Sequence, residues 1–376
     1  MAPANGFITL APKERAVQRL LSLATMIALG GGVWMFLSGG GLDQLAVDAN
    51  APAAQNAAGN AAPGVWNSGA NAPANTPAFP QATTANMPVT IGGAAPQLND
   101  GPTIRIASFN IQVFGDKKLS DTRVAHTLAR VVQQFDVVAI QEIRTQSDRH
   151  MQDFVSIINS AGAHYDYVVG PRLGNSKSTE QYAYVFNTDK VMIDRVSVYT
   201  VGDPDNLLHR EPLVASFSTK VDPNAAFTFT LINVHTDPDS PVLTQELEAL
   251  SEVYRVVRRA GGNEDDVIML GDFNASDQEM GQTRLGMIPD LKPLVRGAGV
   301  FSNTRQNKLY DNLLIHTPST TEYMGRSGVL NYAQPLNMTQ AQAETVSDHF
   351  PVWAEFSMYE RDYNGRIANR ATNTVR

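Results

Sequence analysis

The 376-residue chain contains no cysteine. Disulfides, thiolate metal sites and a cysteine nucleophile are therefore excluded, and the redox compartment is left unread. Basic charge is also scarce: 29 Lys and Arg stand against 37 Asp and Glu, a formal net charge of -8. Such a balance argues against a nonspecific basic grip on nucleic acid while leaving room for a locally positive cleft. No Lys or Arg occurs between Arg19 and Arg105, and no charged residue of either sign between Asp48 and Asp100. No Gly-rich loop follows the first expected strand, which disfavours a dinucleotide-binding fold. No internal repeat is evident.

What is present begins with Lys13, Arg15 and Arg19 ahead of an apolar run from Leu20 to Leu37. Roughly 18 residues is about one bilayer thickness. The basic flank predicts a cytoplasmic N-terminus, with everything downstream outside the cytoplasm. An uncleaved signal anchor within residues 1–42 is expected rather than a cleaved signal peptide. The run is long for the apolar core of such a peptide, and Pro52 follows the loosely fitting Ala49-Asn50-Ala51. Residues 43–101, rich in Ala, Pro, Asn and Gly, keep neither the helical nor the strand period. They read as a flexible linker, with a reach of about 40 Å.

Patterned sequence runs from about residue 102 to 360, long enough for one domain with a full core, and a tail follows at 361–376. Ile104 to Ile111, Val137 to Ile140, Tyr165 to Val169, Tyr182 to Phe186, Val191 to Val201, Leu213 to Thr219 and Phe227 to Val234 read as strands. So do Val267 to Leu270, Asn312 to Ile315 and Val352 to Phe356. A helix capped by Asp121 places Val124, Leu128, Val131 and Val132 on one face, and Pro241 opens a second helix reaching Arg259. The span between Asn274 and Asp311 reads as loop-rich. Many strands with few helices point to an α/β sandwich of two mixed or mostly antiparallel sheets.

Polar residues appear where the strand patterns stop. In Val267-Ile268-Met269-Leu270-Gly271-Asp272-Phe273-Asn274, an extended backbone would aim Asp272 and Asn274 at one point, a pairing suited to a hard cation or a phosphate held by one. Alone, that is also an ordinary turn. Elsewhere Asn110, Glu142, Glu180, His235, Asp311, Asp348 and His349 fall within or beside strand ends. Each singly has a structural explanation, but loops at one end of a scaffold are where catalysis is usually built.

The segments Ile106-Ala107-Ser108-Phe109-Asn110-Ile111, Ile140-Gln141-Glu142-Ile143-Arg144, Gly271-Asp272-Phe273-Asn274 and Ser347-Asp348-His349-Phe350-Pro351-Val352 resemble the endonuclease/exonuclease/phosphatase superfamily, and within it the deoxyribonuclease I group. The likeness spans 103–358 in order. It implies a four-layer α/β/β/α sandwich and a monomeric catalytic domain that hydrolyses phosphodiester bonds of DNA, or of RNA. It implies His235 paired with Glu180 and His349 with Asp311 as acid–base units, and Glu142, Asp348, Asn110 and Asp272 holding Mg²⁺ or Mn²⁺. Arg144, Arg210 and Asn274 would bind the substrate. Gln112 and the loop 174–179 depart from the group's pattern, which bears on duplex grip rather than on hydrolysis. A structural Ca²⁺ is doubtful, Asp203 and Asp205 offering at most a reduced site. The alternatives are a sphingomyelinase-like or inositol-phosphate phosphoesterase, and a catalytically silent module binding nucleic acid or a partner.

Overall fold

A computed structural model of the chain describes residues 101–174, 179–262 and 264–361. Among these residues no helix is long and apolar enough to cross a membrane. The expected anchor, the linker and the tail from 362 onward lie outside the described residues.

Among the described residues, twelve strands form two six-stranded sheets. The first runs β11 (Tyr323–Val329), β12 (Val352–Ser357), β1 (Thr103–Phe114), β2 (Val137–Ile143), β4 (Gln181–Asn187), β3 (Tyr165–Val169). The second runs β5 (Val191–Thr200), β6 (Leu213–Thr219), β7 (Thr228–His235), β8 (Val267–Asp272), β10 (Asp311–His316), β9 (Leu291–Pro293). Only β1–β2 and β7–β8 pair parallel; every other neighbouring pair is antiparallel. Helices α1 (Asp116–Ser120), α2 (Thr122–Val132) and α3 (His150–Asn159) follow the strands of the first sheet. Helix α4 (Ser240–Ala260) crosses over between β7 and β8, as a parallel pair demands. Asp121 caps α2 by accepting from the amides of Arg123 and Val124.

The layers follow from alternation along each strand. On β8, Ile268 and Leu270 join the core between the sheets, while Val267 and Met269 face outward. The outward set meets Leu247, Leu250, Tyr254 and Val257 of α4 in a second core. Burying each of those side chains stabilises the fold by about 1.5–3 kcal/mol. The result is the α/β/β/α sandwich expected from the sequence.

The span after Asn274 is less irregular than its sequence suggests. It holds α5 (Asp277–Gly281) and β9 before β10, then β11 and α6 (Gln340–Val346) ahead of β12. These elements are short, and their pattern is interrupted. Gly325 sits at φ 72° inside β11, and the ladder to β12 shifts register there. Helices α1 and α3 are likewise invisible to strand-based reading.

Gly271 is required by a close approach. A Cβ placed there would lie 1.9 Å from the carbonyl oxygen of Val234, its paired residue on β7. Backbone on a central strand cannot yield cheaply. Gly271→Ala is expected to destabilise the domain by about 3 kcal/mol, the upper end of overpacking costs. Gly281→Ala, where nothing lies within 4 Å of the added atom, should stay within about 0.5 kcal/mol of the parent. Urea midpoints of the two variants check this, and equal shifts would refute it.

Candidate active site

The inward alternation that builds the core delivers polar side chains when the apolar residues run out. On β7, Phe229 and Leu231 are followed on the same face by Asn233 and His235; on β8, Ile268 and Leu270 are followed by Asp272. On β10, Leu313 and Ile315 are preceded by Asp311. Register sets His235 opposite Asp272 and Asp272 opposite Asp311, so the three form one row across three adjacent strands. The facing sheet supplies Asn110 from β1, Glu142 from β2, Glu180 just ahead of β4 and Asp348-His349 just ahead of β12.

Below this row the two sheets are stitched by a buried amide ladder. Gln141 Nε2 donates to Asn233 Oδ1 (2.7 Å), and Asn233 Nδ2 reaches the carbonyls of Ile140 and Ala183. Sequence reasoning passed over both residues; their one signal was an amide at an inward strand position otherwise held by apolar side chains.

The two rows meet in a chain of alternating charge. His235 Nδ1 lies 2.7 Å from Glu180 Oε1, and His349 Nδ1 lies 2.8 Å from Asp311 Oδ2. Both Nε2 atoms turn to the same oxygen, Asp272 Oδ2, at 3.7 and 3.6 Å. Asn110 Nδ2 donates to that oxygen at 3.0 Å and to Glu142 Oε1 at 3.2 Å. Burial acts to raise the Asp272 carboxyl, but the two imidazoles and the hydrogen bonds from Asn274 and Asn110 hold it below the ordinary range. Burial acts against the His349 imidazolium, yet Asp311, Asp272 and Asp348 push it up to about 10. His235 is raised too, against burial, by Glu180 and Asp272. Glu180 is lowered despite burial, by His235, Arg210 and Arg144.

Backbone strain gathers at this end of the sandwich. Val113, Glu142 and Asn274 adopt φ of 49°, 60° and 45°. A register shift in the β2–β4 ladder next to Glu142 turns its side chain toward Asn110, off the alternation. Asn274 departs from the extended backbone on which its pairing with Asp272 was expected. Its amide donates to Asp272 Oδ1 and its Nδ2 to the carbonyl of Thr236. It thus braces Asp272.

Both arginines expected to bind substrate reach Glu180, and only Arg210 is largely enclosed. The Arg210 side chain is 9% exposed, its Nε 3.1 Å from Glu180 Oε1 and one terminal nitrogen on the carbonyl of His235. The reason is electrostatic: Glu180 sits with no exposure of its side chain and needs more positive charge than one imidazole offers. Arg144 is more open and bridges Glu142 (3.2 Å) and Glu180 (3.3 Å). Lys118 escaped sequence reasoning. Its Nζ donates to the carbonyls of Ile111 and Val346, and burial brings it down to about 8 while Asp348 and Glu142 oppose the fall. Asp203 Oδ2 caps the amide of Leu208 at 2.7 Å.

Two side-chain sets suit a metal differently. One oxygen or nitrogen each from Asp272, Asp311 and His349 lie within 4.8 Å of one another, but there the imidazole and carboxylates already satisfy each other's charge. Glu142 and Asp348 are more open, with side chains 13% and 41% exposed. Burial, then the charges of Glu142 and Asp272, raises the Asp348 carboxyl. A hard divalent cation between these two oxygen donors would relieve the charge that raises Asp348, so this pair fits one.

An assembly able to take a proton on one imidazole and give one from another is that of a hydrolase. Residues 107–349 match the Endonuclease/Exonuclease/phosphatase family. Deoxyribonuclease-1-like 2 of Mus musculus is 30% identical over 264 residues, which cover 68% of this chain and 92% of the relative. Deoxyribonuclease-1 of Gallus gallus is 28% identical over 284 residues, covering 71% and 97%. Deoxyribonuclease-1 of Oryctolagus cuniculus is 30% identical over 268 residues, covering 66% and 91%. The chain belongs to the endonuclease/exonuclease/phosphatase family, within its deoxyribonuclease I-like group, and is a phosphodiester hydrolase.

The raised imidazolium sets a pH dependence. Because His349 is higher in the folded state, its stabilising contribution is fully present below its unfolded value of 6.5 and is lost as pH rises through about 10. In chelator-treated buffer Asp311→Asn removes the charge behind the ring, so the titration of His349 and the loss of stability both move to lower pH. An NMR titration of the ring with unfolding curves from about pH 6 to about pH 10 checks this. An unmoved His349 titration in the variant would count against the charge coupling.

Proposed function

We propose that this chain is a divalent-metal-dependent endonuclease that hydrolyses phosphodiester bonds of DNA. In this reading it is held at a membrane by the Leu20–Leu37 run, with its catalytic domain outside the cytoplasm. The observation that carries the activity is the shared aim of His235 and His349 at Asp272 Oδ2, each ring backed by its own buried carboxylate. The deoxyribonuclease names of the relatives support DNA as the substrate. The apolar run with its basic N-terminal flank supports the tether.

Carboxylates at Nδ1 fix each ring's tautomer and leave Nε2 for the reaction. The scissile phosphate sits over Asp272, between the two Nε2 atoms. One imidazole accepts the proton of the attacking water, and the other protonates the leaving oxygen. A cation held by Glu142 and Asp348, Mg²⁺ or Mn²⁺, supplies neutralisation of charge on the phosphate oxygens when bound. Asn110 orients Glu142 and Asp272 together. Arg210 and Arg144 keep Glu180 ionised, which keeps His235 in its working tautomer. With Asn274 they position the machinery. Arg144, half-exposed at the rim, is the one of the three that also faces an incoming phosphate.

Supercoiled plasmid incubated with the purified full chain and Mg²⁺ or Mn²⁺ tests this. Nicking is expected, with loss in EDTA, and a fall of about 10²–10⁴-fold in either His235→Ala or His349→Ala. Arg210→Met should lower the rate with a smaller change in KM, since the residue acts through Glu180. If the plasmid stays intact while a sphingomyelin or inositol-phosphate panel is turned over, the DNA reading fails and the hydrolytic chemistry stands.

A further inference from the structure

The opposite end of the sandwich gathers acids that the hydrolytic machinery does not use. Asp266 lies just ahead of β8, Glu322 just ahead of β11, and Glu360 beyond β12. One carboxylate oxygen from each lies within 4.8 Å of the others. Asp266 and Asp272 bracket β8, so about six residues of strand, roughly 20 Å, separate this cluster from the imidazoles.

Asp266 and Glu322 are 5% and 1% exposed; Asp266 Oδ1, Glu322 Oε2 and the Thr320 hydroxyl that faces Asp266 are buried without a well-formed hydrogen bond among the described residues. The other Glu322 oxygen accepts from the amide of Arg361 (2.6 Å) and the hydroxyl of Thr321 (3.2 Å). Glu360 Oε1 accepts from the amide of Thr228 (2.8 Å). Glu264 borders the group through the hydroxyl of Thr228 and the amide of Asp266. Among the described residues no Lys or Arg side chain is ion-paired with Asp266, Glu322 or Glu360. Of the basic side chains placed nearby, Arg258 pairs with Asp265 at 3.6 Å and the Arg361 guanidinium turns to Met324 Sδ at 3.0 Å.

Carboxylates this close, two of them buried, with free oxygens and no cation, have two ways to coexist: they hold protons or they hold a metal. Burial first, then the charge of Glu322, drives Asp266 up to about 9. Burial drives Glu264 up to about 7, and Glu322 and Glu360 are raised for the same reason. The donors are all oxygen and come from irregular segments, a set that suits a cation tolerant of coordination geometry.

We propose that Asp266, Glu322 and Glu360 form a second divalent-cation site, of the Ca²⁺ class, at the end of the sandwich away from the imidazoles. Asp266 belongs to the second sheet, whereas Glu322 and Glu360 flank strands of the first. A bound ion therefore clamps the two sheets together where the amide ladder does not reach. Its role is structural, and it is independent of the nuclease reading.

Calorimetric Ca²⁺ titration and thermal unfolding of the chelator-treated full chain test the site. Asp266→Asn and Glu322→Gln are expected to bind one Ca²⁺ fewer per chain than the parent. They should also lose part of the Ca²⁺-dependent rise in Tm while keeping the parent's basal hydrolytic activity. In metal-free buffer they should melt no lower than the parent, because a buried carboxylate repulsion has gone. Glu360→Gln alters the exposed member and is expected to weaken Ca²⁺ about tenfold with the fold intact. Protons compete for the same oxygens, so the Ca²⁺ increment in the parent should grow as pH rises. A Glu142→Gln chain should still bind one Ca²⁺. If it binds none, or if Asp266→Asn binds as many ions as the parent with the same rise in Tm, the acids share protons and the site is overturned.

Discussion

Asp272 is a carboxylate with 1% exposure, held ionised at the seam between two sheets. A charge in that position demands compensation, and the surrounding structure is a sequence of answers to the demand. Two imidazoles and the side chain of Asn110 face one of its oxygens, while the amide of Asn274 meets the other. Each imidazole, once charged, needs an acid of its own, which Glu180 and Asp311 supply. Glu180 is in turn too buried to stand alone and draws in Arg210 and Arg144. The result is an alternating line of charge from arginine to Asp311, with no member removable without stranding its neighbour. Breaking such a buried pair by deleting one partner costs about 3–5 kcal/mol. The geometry that serves proton transfer is the same geometry that makes the charges tolerable.

That line exists because strand alternation is indifferent to chemistry. The residues that put Phe229, Leu231, Ile268, Leu270 and Leu313 between the sheets continue, two positions at a time, into His235, Asp272 and Asp311. Parallel pairing of β7 with β8 ends both strands at the same edge, and the antiparallel β10 begins there. One strand end out of register by a single residue would turn its functional side chain outward against α4. The site that is not on the alternation, Glu142, is reached by a register shift and a left-handed φ. Strain of that kind persists only where surrounding contacts enforce it.

This division also explains what could be read from sequence. The inward strand patterns and the polar residues at their ends were legible, because both are local. His235, Asp272, Asp311 and His349 stand out as polar residues at the ends of apolar runs. Their partnerships were legible only through resemblance: 55 residues separate His235 from Glu180, and 38 separate His349 from Asp311. The contact of Arg210 with Glu180 was not legible because a family position says nothing about which way a long side chain turns, and the charge of Glu180 decides that. The aim of Asn274 was misread because extended backbone was assumed two residues past where it ends. Gln141 and Asn233 were missed because their contacts span sheets, and Lys118 because its partner Val346 lies 228 positions along the chain. Asp266, Glu322 and Glu360 carry no local signal at all.

β8 places two buried acids at its two ends and shows how differently the same residue type is handled. At Asp272 the fold supplies positive charge from both sides, so the carboxyl is drawn below its ordinary range and works as an anion. At Asp266 the neighbours are further carboxylates, so the carboxyl is pushed above its ordinary range. Nothing in the strand distinguishes the two positions; Val267, Ile268, Met269 and Leu270 insulate them from each other with apolar side chains. The difference lies in what the adjacent strands bring to each end. Imidazoles arrive at the edge where β7 ends and β12 begins, and carboxylates at the edge where β11 begins and β12 ends. A carboxylate surrounded by bases is equipped to organise proton transfer, whereas one surrounded by carboxylates gains only by taking up a proton or a cation. One strand therefore anchors both a reactive end and an ion-seeking end, and the sandwich keeps them apart by about its own length.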